Sequence, residues 1–369
     1  MTTTVLVGLT FLLLGAICGG SFGLPSKYVR KDTPWENLWG PFFFFITIAM
    51  PLLLGPILVN DFFPVYAKAG ADKLIMPLLF GLLWGAGSMT LGKSFAFIGL
   101  SLAYSLNYGA QIIFGGITPL VLHHSDRLLT AQVGVILLGV CVCLVGVIVS
   151  GRAGILKDRS LKDAEAGEEI DETPSERAVT EIDEPADAPS DSDKKPAMMI
   201  GLIIAIASGI LCGCYGVAAS YTGSVAEAAK ELGNEPWRVS IATTIVILWG
   251  GAVSSCLYCV VQLTKNNTWK NFSAPGAGLA LAMALVMAFL HNGAIYFFNL
   301  GFPKLGDLGV PVGYPVFMSF AIIVGNIHGF RTGEWKGASS KSIGWIVTGI
   351  VILILGVCIL AQGNAMDSG

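Results

Sequence analysis

Ten stretches of about 20 apolar residues run along this chain, each long enough to cross a bilayer as an α-helix. They cover 4–24, 38–59, 74–92, 95–121, 129–150, 197–220, 239–262, 277–300, 308–328 and 342–362. Lipid offers the backbone no hydrogen-bond partner, so such segments must satisfy their own N–H and C=O groups as helices. Charged residues make up 13% of the chain, against about 25% in soluble domains. A soluble enzyme and a soluble domain on a single anchor are both excluded. The expected fold is an all-α polytopic membrane protein of ten transmembrane helices, with the lipid bilayer as its surroundings.

One segment departs from this pattern. Residues 158–195 hold 14 of the 25 acidic and 5 of the 22 basic residues. Its prolines, serines and charges, with almost no aromatics, predict a disordered linker. The chain then divides into 1–157, the acidic linker 158–195, and 196–369. Lys and Arg concentrate in the odd-numbered loops, 16 against 6 in the even-numbered ones. The positive-inside rule therefore puts both termini outside and the linker in the cytoplasm. The N-terminus lacks a positive n-region and reads as a first helix that stays in place.

The two five-span halves resemble each other. Gly15-Ala-Ile-Cys18-Gly19 in span one matches Gly209-Ile-Leu-Cys212-Gly213 in span six. Leu138-Gly139-Val140-Cys141 in span five matches Leu355-Gly356-Val357-Cys358 in span ten. Between them, Ala96-Phe97-x-x-Leu100 matches Gly301-Phe302-x-x-Leu305. Because five is odd, the second copy enters the membrane in the opposite sense. The expected architecture is two inverted five-helix repeats, which let two halves rock about a midplane site. Small residues recur every four positions at Gly15, Gly19 and Gly23, and form another stripe at Gly81, Gly85, Ser88 and Gly92, marking faces of close helix approach.

Polar side chains inside spans should face the bundle interior. In span four, Tyr104, Asn107, Tyr108 and Gln111 share one face; in span eight, Asn292, Tyr296 and Asn299 do so. Trp84 and Ser88 form a similar pair in span three. Amides bond hydroxyls in both directions, and aromatic rings cover the apolar face of a pyranose. These nine residues are the substrate-binding candidates for a small-molecule sugar; interhelical hydrogen bonding is the other reading of the same faces. His291 lies deep in span eight with an ordinary pKa suited to reversible proton carriage. With Lys93 between spans three and four, and Asp307 at the start of span nine, it completes the proton-coupling candidates. Asp307 precedes a helix and so also reads as an N-cap.

No metal, cofactor or nucleic-acid partner is expected. His123-His124-Ser-Asp126 lacks further ligands. All eight cysteines fall in apolar stretches, so no disulfide framework is implied. Phosphate-cradling loop, catalytic triad and nucleotide fingerprint are all missing from the sequence. The chain therefore reads as no enzyme.

Several segments resemble the bacterial L-rhamnose–proton symporter (RhaT) family, within the drug/metabolite transporter superfamily. They are Phe22-Gly-Leu-Pro25-Ser-Lys27-Tyr-Val-Arg30-Lys31 with Trp35-Glu36-Asn-Leu-Trp39, and Phe80-Gly81-x-x-Trp84-Gly85-x-Gly87. Arg152-Ala153-Gly154-x-Leu156-Lys157 and Glu334-Trp335 continue the likeness. The resemblance implies ten helices in inverted repeats, residence in a bacterial inner membrane, and alternating-access symport of L-rhamnose or a related sugar with a proton. Span eight, with its His291-Asn292 pair, and the Gly/Pro-rich start of span nine depart from the enterobacterial pattern. A carrier or exporter of another small polar metabolite, and a non-transporting membrane sensor, are the other readings the sequence leaves. The oligomeric state is not legible in it.

Overall fold

A computed structural model of the protein describes residues 3–171, 191–333 and 335–366; within these, the side chains at 92, 93, 95–105, 158, 162–171 and 191–198 are not described. The elements are α1 (Thr3–Ser21), α2 (Trp35–Phe44), α3 (Met50–Leu58), α4 (Phe62–Ala69), α5 (Ala71–His123) and α6 (Ala131–Asp171). After the undescribed 172–190 follow α7 (Asp191–Ser220), α8 (Gly223–Glu231), α9 (Pro236–Lys265), α10 (Ala277–Gly301), α11 (Gly309–Arg331) and α12 (Ser340–Ala365). Among the described residues there is no strand, as an apolar chain with hydrogen bonds satisfied within each segment demands. Nine helices among them are long and apolar enough to cross a membrane. The protein is a multi-pass membrane protein.

Two of the expected spans, 74–92 and 95–121, are joined in α5, which is helical over 53 residues. A straight helix of that length would measure about 80 Å. It does not run straight. Phe80 stacks on Tyr221 at 5.9 Å between centroids, and His123 meets the same ring at 4.8 Å. On a straight helix those two residues would lie about 65 Å apart. Ser88 and Asn107 likewise both approach the Cys212 sulfur, each at 4.0 Å. The chain therefore doubles back within 92–105, and its two halves flank α7.

The two chain ends lie at one end of the bundle. Thr4 lines a hollow shared with His123 and Asp307. At the other terminus the Met366 carbonyl accepts a 2.8 Å bond from Gln132, at the start of α6 just past the 122–130 turn. Helix α2 continues into α3 through a π-turn at Phe45–Ala49. Pro51 and Pro56 follow it and lack the N–H that a regular α-helix would use.

Helices α6 and α12 pack antiparallel through glycines. A Cβ on Gly139 would come 2.9 Å from the Leu360 nitrogen, and one on Gly356 2.8 Å from the Cys143 nitrogen. Gly146 faces Leu353, and Gly363 faces Ile136. Each contact is the image of another when the segments aligned by Leu138-Gly139-Val140-Cys141 and Leu355-Gly356-Val357-Cys358 are exchanged. The first helices follow the same rule. Cys18 of α1 lies against Gly293 of α10, and its counterpart Cys212 against Ser88 of α5.

Helix α6 extends past the apolar part of the chain to Asp171, well into the acidic segment. Residues 161–169 are rich in Leu, Lys, Ala and Glu, which favour helix. Leu161 lies beside Gly337, and Ser160 Oγ accepts from the Ser339 N–H at 3.2 Å. The middle of the expected linker, 172–190, lies outside the described residues.

Candidate functional site

At the end carrying the chain termini, a cavity of about 490 Å³ opens between α5, α7, α8, α9, α10 and α11. Its walls are largely apolar, with Pro119, Val239, Leu300, Phe302 and Pro311 among them. The floor is polar: Ser240, Thr243 and Asn299 line it, and all three are buried. Its rim carries His123, His124, Lys230, Lys304 and Asp307.

Asn299 organises the floor. Its Nδ2 donates to the Tyr215 hydroxyl at 2.8 Å and to Thr244 Oγ1 at 2.6 Å, tying α10 to α7 and α9. Thr243 and Thr244 both donate to the Ser240 carbonyl, and Ser240 Oγ donates to the Tyr296 carbonyl at 3.0 Å. Asn299 Oδ1 is buried and accepts no hydrogen bond from the described residues. Buried polar atoms are ordinarily partnered, and exceptions need a reason. The side chain lines the cavity, but this oxygen is itself covered, so a ligand hydroxyl or water reaches it only when the floor shifts. Two further atoms on α10, His291 Nδ1 and Asn292 Oδ1, are also buried without such a partner. The polar demand thus runs down one helix from the cavity floor toward the membrane centre, about 12 Å from residue 299 to 291.

His291 sits in an aromatic box. Its ring lies 5.2 Å from Phe22, 5.5 Å from Phe42 and 5.8 Å from Trp84 between centroids. Trp84 in turn packs on Tyr215 at 5.8 Å. Tyr215 and Trp84 therefore separate the cavity floor from His291. Asn292 reaches the π-turn of the second span, donating to the Met50 sulfur at 3.1 Å and to the Ile46 carbonyl at 3.4 Å. π-turns are often found at functional sites.

The polar face of the fourth expected span is arranged differently. Gln111 Nε2 donates to Asn107 Oδ1 at 2.6 Å, and Asn107 Nδ2 donates to Ser208 Oγ at 2.7 Å. The Tyr314 hydroxyl donates to Gln111 Oε1 at 3.2 Å. This chain of side chains joins α5, α7 and α11 and closes on itself. Neither amide lines the cavity. Tyr108 is half-buried and Ser88 Oγ donates to the Trp84 carbonyl at 3.0 Å. Tyr296 contributes its backbone and stacks on Phe297. The side chains of Tyr104 and Lys93 lie outside the described residues.

Asp307 is not an N-cap. Leu308 takes the cap position of α11, with no side-chain hydrogen bond. Pro311, at the third helical position, has no N–H for a capping oxygen to accept. Asp307 Oδ2 instead accepts from Arg127 at 3.1 Å on the cavity rim. His123, beyond the apolar part of its helix, bonds Ser220 Oγ at 3.1 Å. Burial first, and the neighbouring His124 second, hold its imidazole below the usual range.

Tyr215, Ser240, Thr243 and Thr244 are missing from the expected set. Ser240, Thr243 and Thr244 sit at i, i+3 and i+4, a polar face in an otherwise apolar span, so periodicity alone could have found them. Tyr215 stands just past the repeated glycine-cysteine motif, where an aromatic among small residues was the signal.

At the far end of the bundle, side-chain hydrogen bonds tie the helices together. Glu36 Oε1 accepts from Asn266 Nδ2 at 3.0 Å and from Thr268 Oγ1 at 2.8 Å. Lys27 donates to Thr332 Oγ1 at 3.1 Å, and Ser21 meets His328 at 2.7 Å.

A family model described as L-rhamnose-proton symport protein (RhaT) matches residues 1–171 and 193–366. The chain belongs to the RhaT family. Among RhaT relatives, an L-rhamnose-proton symporter of Pectobacterium atrosepticum is 28% identical over 379 residues, covering 99% of this chain and 100% of the relative. L-rhamnose-proton symporters of Citrobacter koseri and Escherichia coli are each 27% identical, with the same coverage. The family is one of transport proteins and not of enzymes.

Proposed function

We propose that this protein imports a sugar, most simply L-rhamnose, together with a proton. The observation that carries the reading is the family match along nearly the whole chain, to relatives named as L-rhamnose-proton symporters. The cavity supports it physically. Ser240, Thr243 and the Asn299 amide on the floor suit sugar hydroxyls, and the apolar wall suits a deoxy-sugar's methyl group.

The same reading takes ten membrane spans in two inverted repeats, 1–157 and 196–369, joined by the acidic segment 158–195. Two features favour ten. The doubling-back of α5 makes a second pass, and chain ends on one face require an even number of passes. The exchange-symmetric contacts of α6 with α12, and of Cys18 and Cys212, favour the repeat. With the Lys and Arg bias, both termini lie in the periplasm, the linker in the cytoplasm, and the protein in the bacterial inner membrane. In this reading the cavity faces the periplasm, an outward-facing arrangement.

In this reading the cavity floor, Asn299, Ser240 and Thr243, binds substrate. Trp84, Asn292 and His291 lie on its path inward. Asn107 and Gln111 hold helices together. Asp307 shapes the rim. The test is alkalinisation of a lightly buffered suspension of de-energised cells carrying this protein, on adding L-rhamnose and then other sugars. A rise in external pH with L-rhamnose is expected. A rise only with another sugar keeps symport and replaces the substrate. Silence across the panel, with the protein present in the membrane, refutes proton-coupled import.

A further inference from the structure

We propose that the cavity takes a monosaccharide carrying one carboxylate, a uronate or an aldonate, and that Lys230 and Lys304 at its mouth hold that carboxylate. The inference rests on the sugar-import reading of this cavity and names a substrate class within it.

The basic residues at the cavity end carry the argument. The loops there hold six: Lys68, Lys73, Arg127, Lys230, Arg238 and Lys304. Four are engaged by the protein itself. Lys68 pairs with Glu231 at 2.8 Å, Lys73 with Asp72 at 3.3 Å and Arg127 with Asp307 at 3.1 Å. Arg238 Nη1 donates to the Leu58 carbonyl at 2.8 Å and to Asn60 Oδ1 at 3.0 Å. The ammonium groups of Lys230 and Lys304 make no ion pair or hydrogen bond with a described residue, and both residues line the cavity. Cations are scarce at this end of the bundle, and the two without a protein partner stand at one hollow. Lys230 is exposed at the end of α8; Lys304 is half-buried, its Cβ packed by Gly8 of α1. The one carboxylate of the lining, Asp307, is already offset by Arg127. The rim is therefore positive.

The backbone adds to that charge. Three helices begin at the cavity: Gly223 of α8, Pro236 of α9 and Gly309 of α11 all line it. None of the three starts is capped by a side chain. First-turn N–H groups have no partner within their helix, and the helix dipole places partial positive charge on them, which favours an anion. Helices α5, α7 and α10 end here, but their carbonyls are tied down. On α7, the Val217 carbonyl accepts from Ser220 Oγ, Ala218 from the Tyr221 N–H and Ala219 from Thr222 Oγ1. On α5 the Leu120 carbonyl accepts from the His124 N–H, and on α10 the Phe298 carbonyl accepts from the Phe302 N–H. Open starts beside tied ends leave a positive field at the mouth.

The floor completes the match. Ser240, Thr243 and the Asn299 amide offer donors and acceptors to hydroxyls. A carboxylate at the mouth and hydroxyls on the floor give the sugar one direction. At about 490 Å³ the cavity is of a size with small-molecule sites, about 300–1,000 Å³. A monoanion also suits a single coupled proton, because the pair crosses the bilayer with no net charge. A sugar phosphate carries about two negative charges near neutral pH and would not.

The experiment uses the full-length protein in lipid vesicles under an inward pH gradient. D-galacturonate, D-glucuronate and D-gluconate are each set beside the neutral sugar, D-galactose or D-glucose, with glucose 6-phosphate and L-rhamnose in the same panel. At least one carboxylate sugar is expected to enter about tenfold or more faster than its neutral counterpart, the worth of a charged hydrogen bond. With Lys230→Gln and Lys304→Gln combined, that ratio should fall to about one. Carboxylate sugars entering no faster than neutral ones, while L-rhamnose enters, overturn the proposal and leave the L-rhamnose reading standing. A preference that survives the double substitution, or a stronger preference for glucose 6-phosphate, overturns it too. Carboxylate-sugar entry indifferent to the pH gradient keeps the substrate class and removes proton coupling alone.

A second readout needs no transport. Melting of the detergent-solubilised protein, followed by tryptophan fluorescence, is expected to shift upward with the preferred carboxylate sugar at a concentration where its neutral counterpart has no effect. Lys230→Gln, at an exposed position, should lose most of the shift. No shift with any of the three carboxylate sugars, in a protein that melts cooperatively, overturns the proposal. A shift abolished by Lys230→Gln, in a protein silent to every sugar in vesicles, keeps the anionic-sugar site and removes the transport reading alone.

Discussion

Replacing Asn299 by leucine separates the binding role of the cavity floor from its packing role. The side chain lines the cavity, makes two interhelical bonds, to Tyr215 and Thr244, and carries one buried oxygen with no partner among the described residues. Interhelical hydrogen bonds in membranes are worth about 0.6 kcal/mol each. Losing two costs about 1.2 kcal/mol, too little to empty the membrane of folded protein when native stability is about 5–15 kcal/mol. A buried hydroxyl left without its acceptor costs a further 1–3 kcal/mol, on the order of tenfold to a hundredfold in affinity. Asn299→Leu is therefore expected to raise the KM for L-rhamnose about tenfold or more, with membrane abundance close to wild type. Asn107→Ala is the control. Its bonds to Ser208 and Gln111 are internal, so it should leave both the KM and the abundance close to wild type. Initial uptake rates over a range of sugar concentrations, beside immunoblots of membranes, measure both. An unchanged KM in Asn299→Leu at normal abundance, or an equal KM rise in Asn107→Ala, refutes the assignment of the cavity floor.

Cysteines placed at Phe80 and His123, both of which meet Tyr221, are expected to be joined by a short bifunctional maleimide; a straight α5 forbids it. Gly139→Leu and Gly356→Leu push into backbone nitrogens at 2.9 Å and 2.8 Å from the added Cβ, so both should lose most folded protein, to similar extents, in a detergent melting assay. A cysteine at His124 should react with an impermeant maleimide added to intact cells, and one at Lys336 only after lysis; the reverse pattern inverts the orientation.

The fold was legible because lipid removes choices. A run of apolar residues in a bilayer has one low-energy backbone state, so span positions follow from hydropathy. Where the expectation and the structure part, at 92–105, the apolar runs of two spans abut with Lys93 as the only charge between them. Nothing in that stretch stops a helix outright: it holds two glycines, Gly92 and Gly99, and no proline. Helicity and direction are then separate properties. Local sequence sets the first; the second is set by which residues both halves press against, here Tyr221 and Cys212. The repeat motifs were readable for a similar reason. Glycines at Gly139, Gly146, Gly356 and Gly363 stand where two backbones meet, so the matching motifs coincide with an interface.

The site was harder to read. Asn107-Gln111 and Asn292-Asn299 look alike in sequence, amides on one face of an apolar helix. What distinguishes them is whether each polar atom finds a partner within the protein, and that depends on residues more than 50 positions away. Asn107 finds Ser208 and spends its oxygen on Gln111. Asn299 finds Tyr215 and Thr244 through its nitrogen and leaves its oxygen without a partner among the described residues. A satisfied amide holds helices together; one with an open acceptor can also bind a ligand. Glu36 reads differently again. In sequence it is an ordinary acidic residue in a helix's first turn, where the dipole favours it. Its burial appears only when the end of α9 folds over it, with Asn266 and Thr268 as donors.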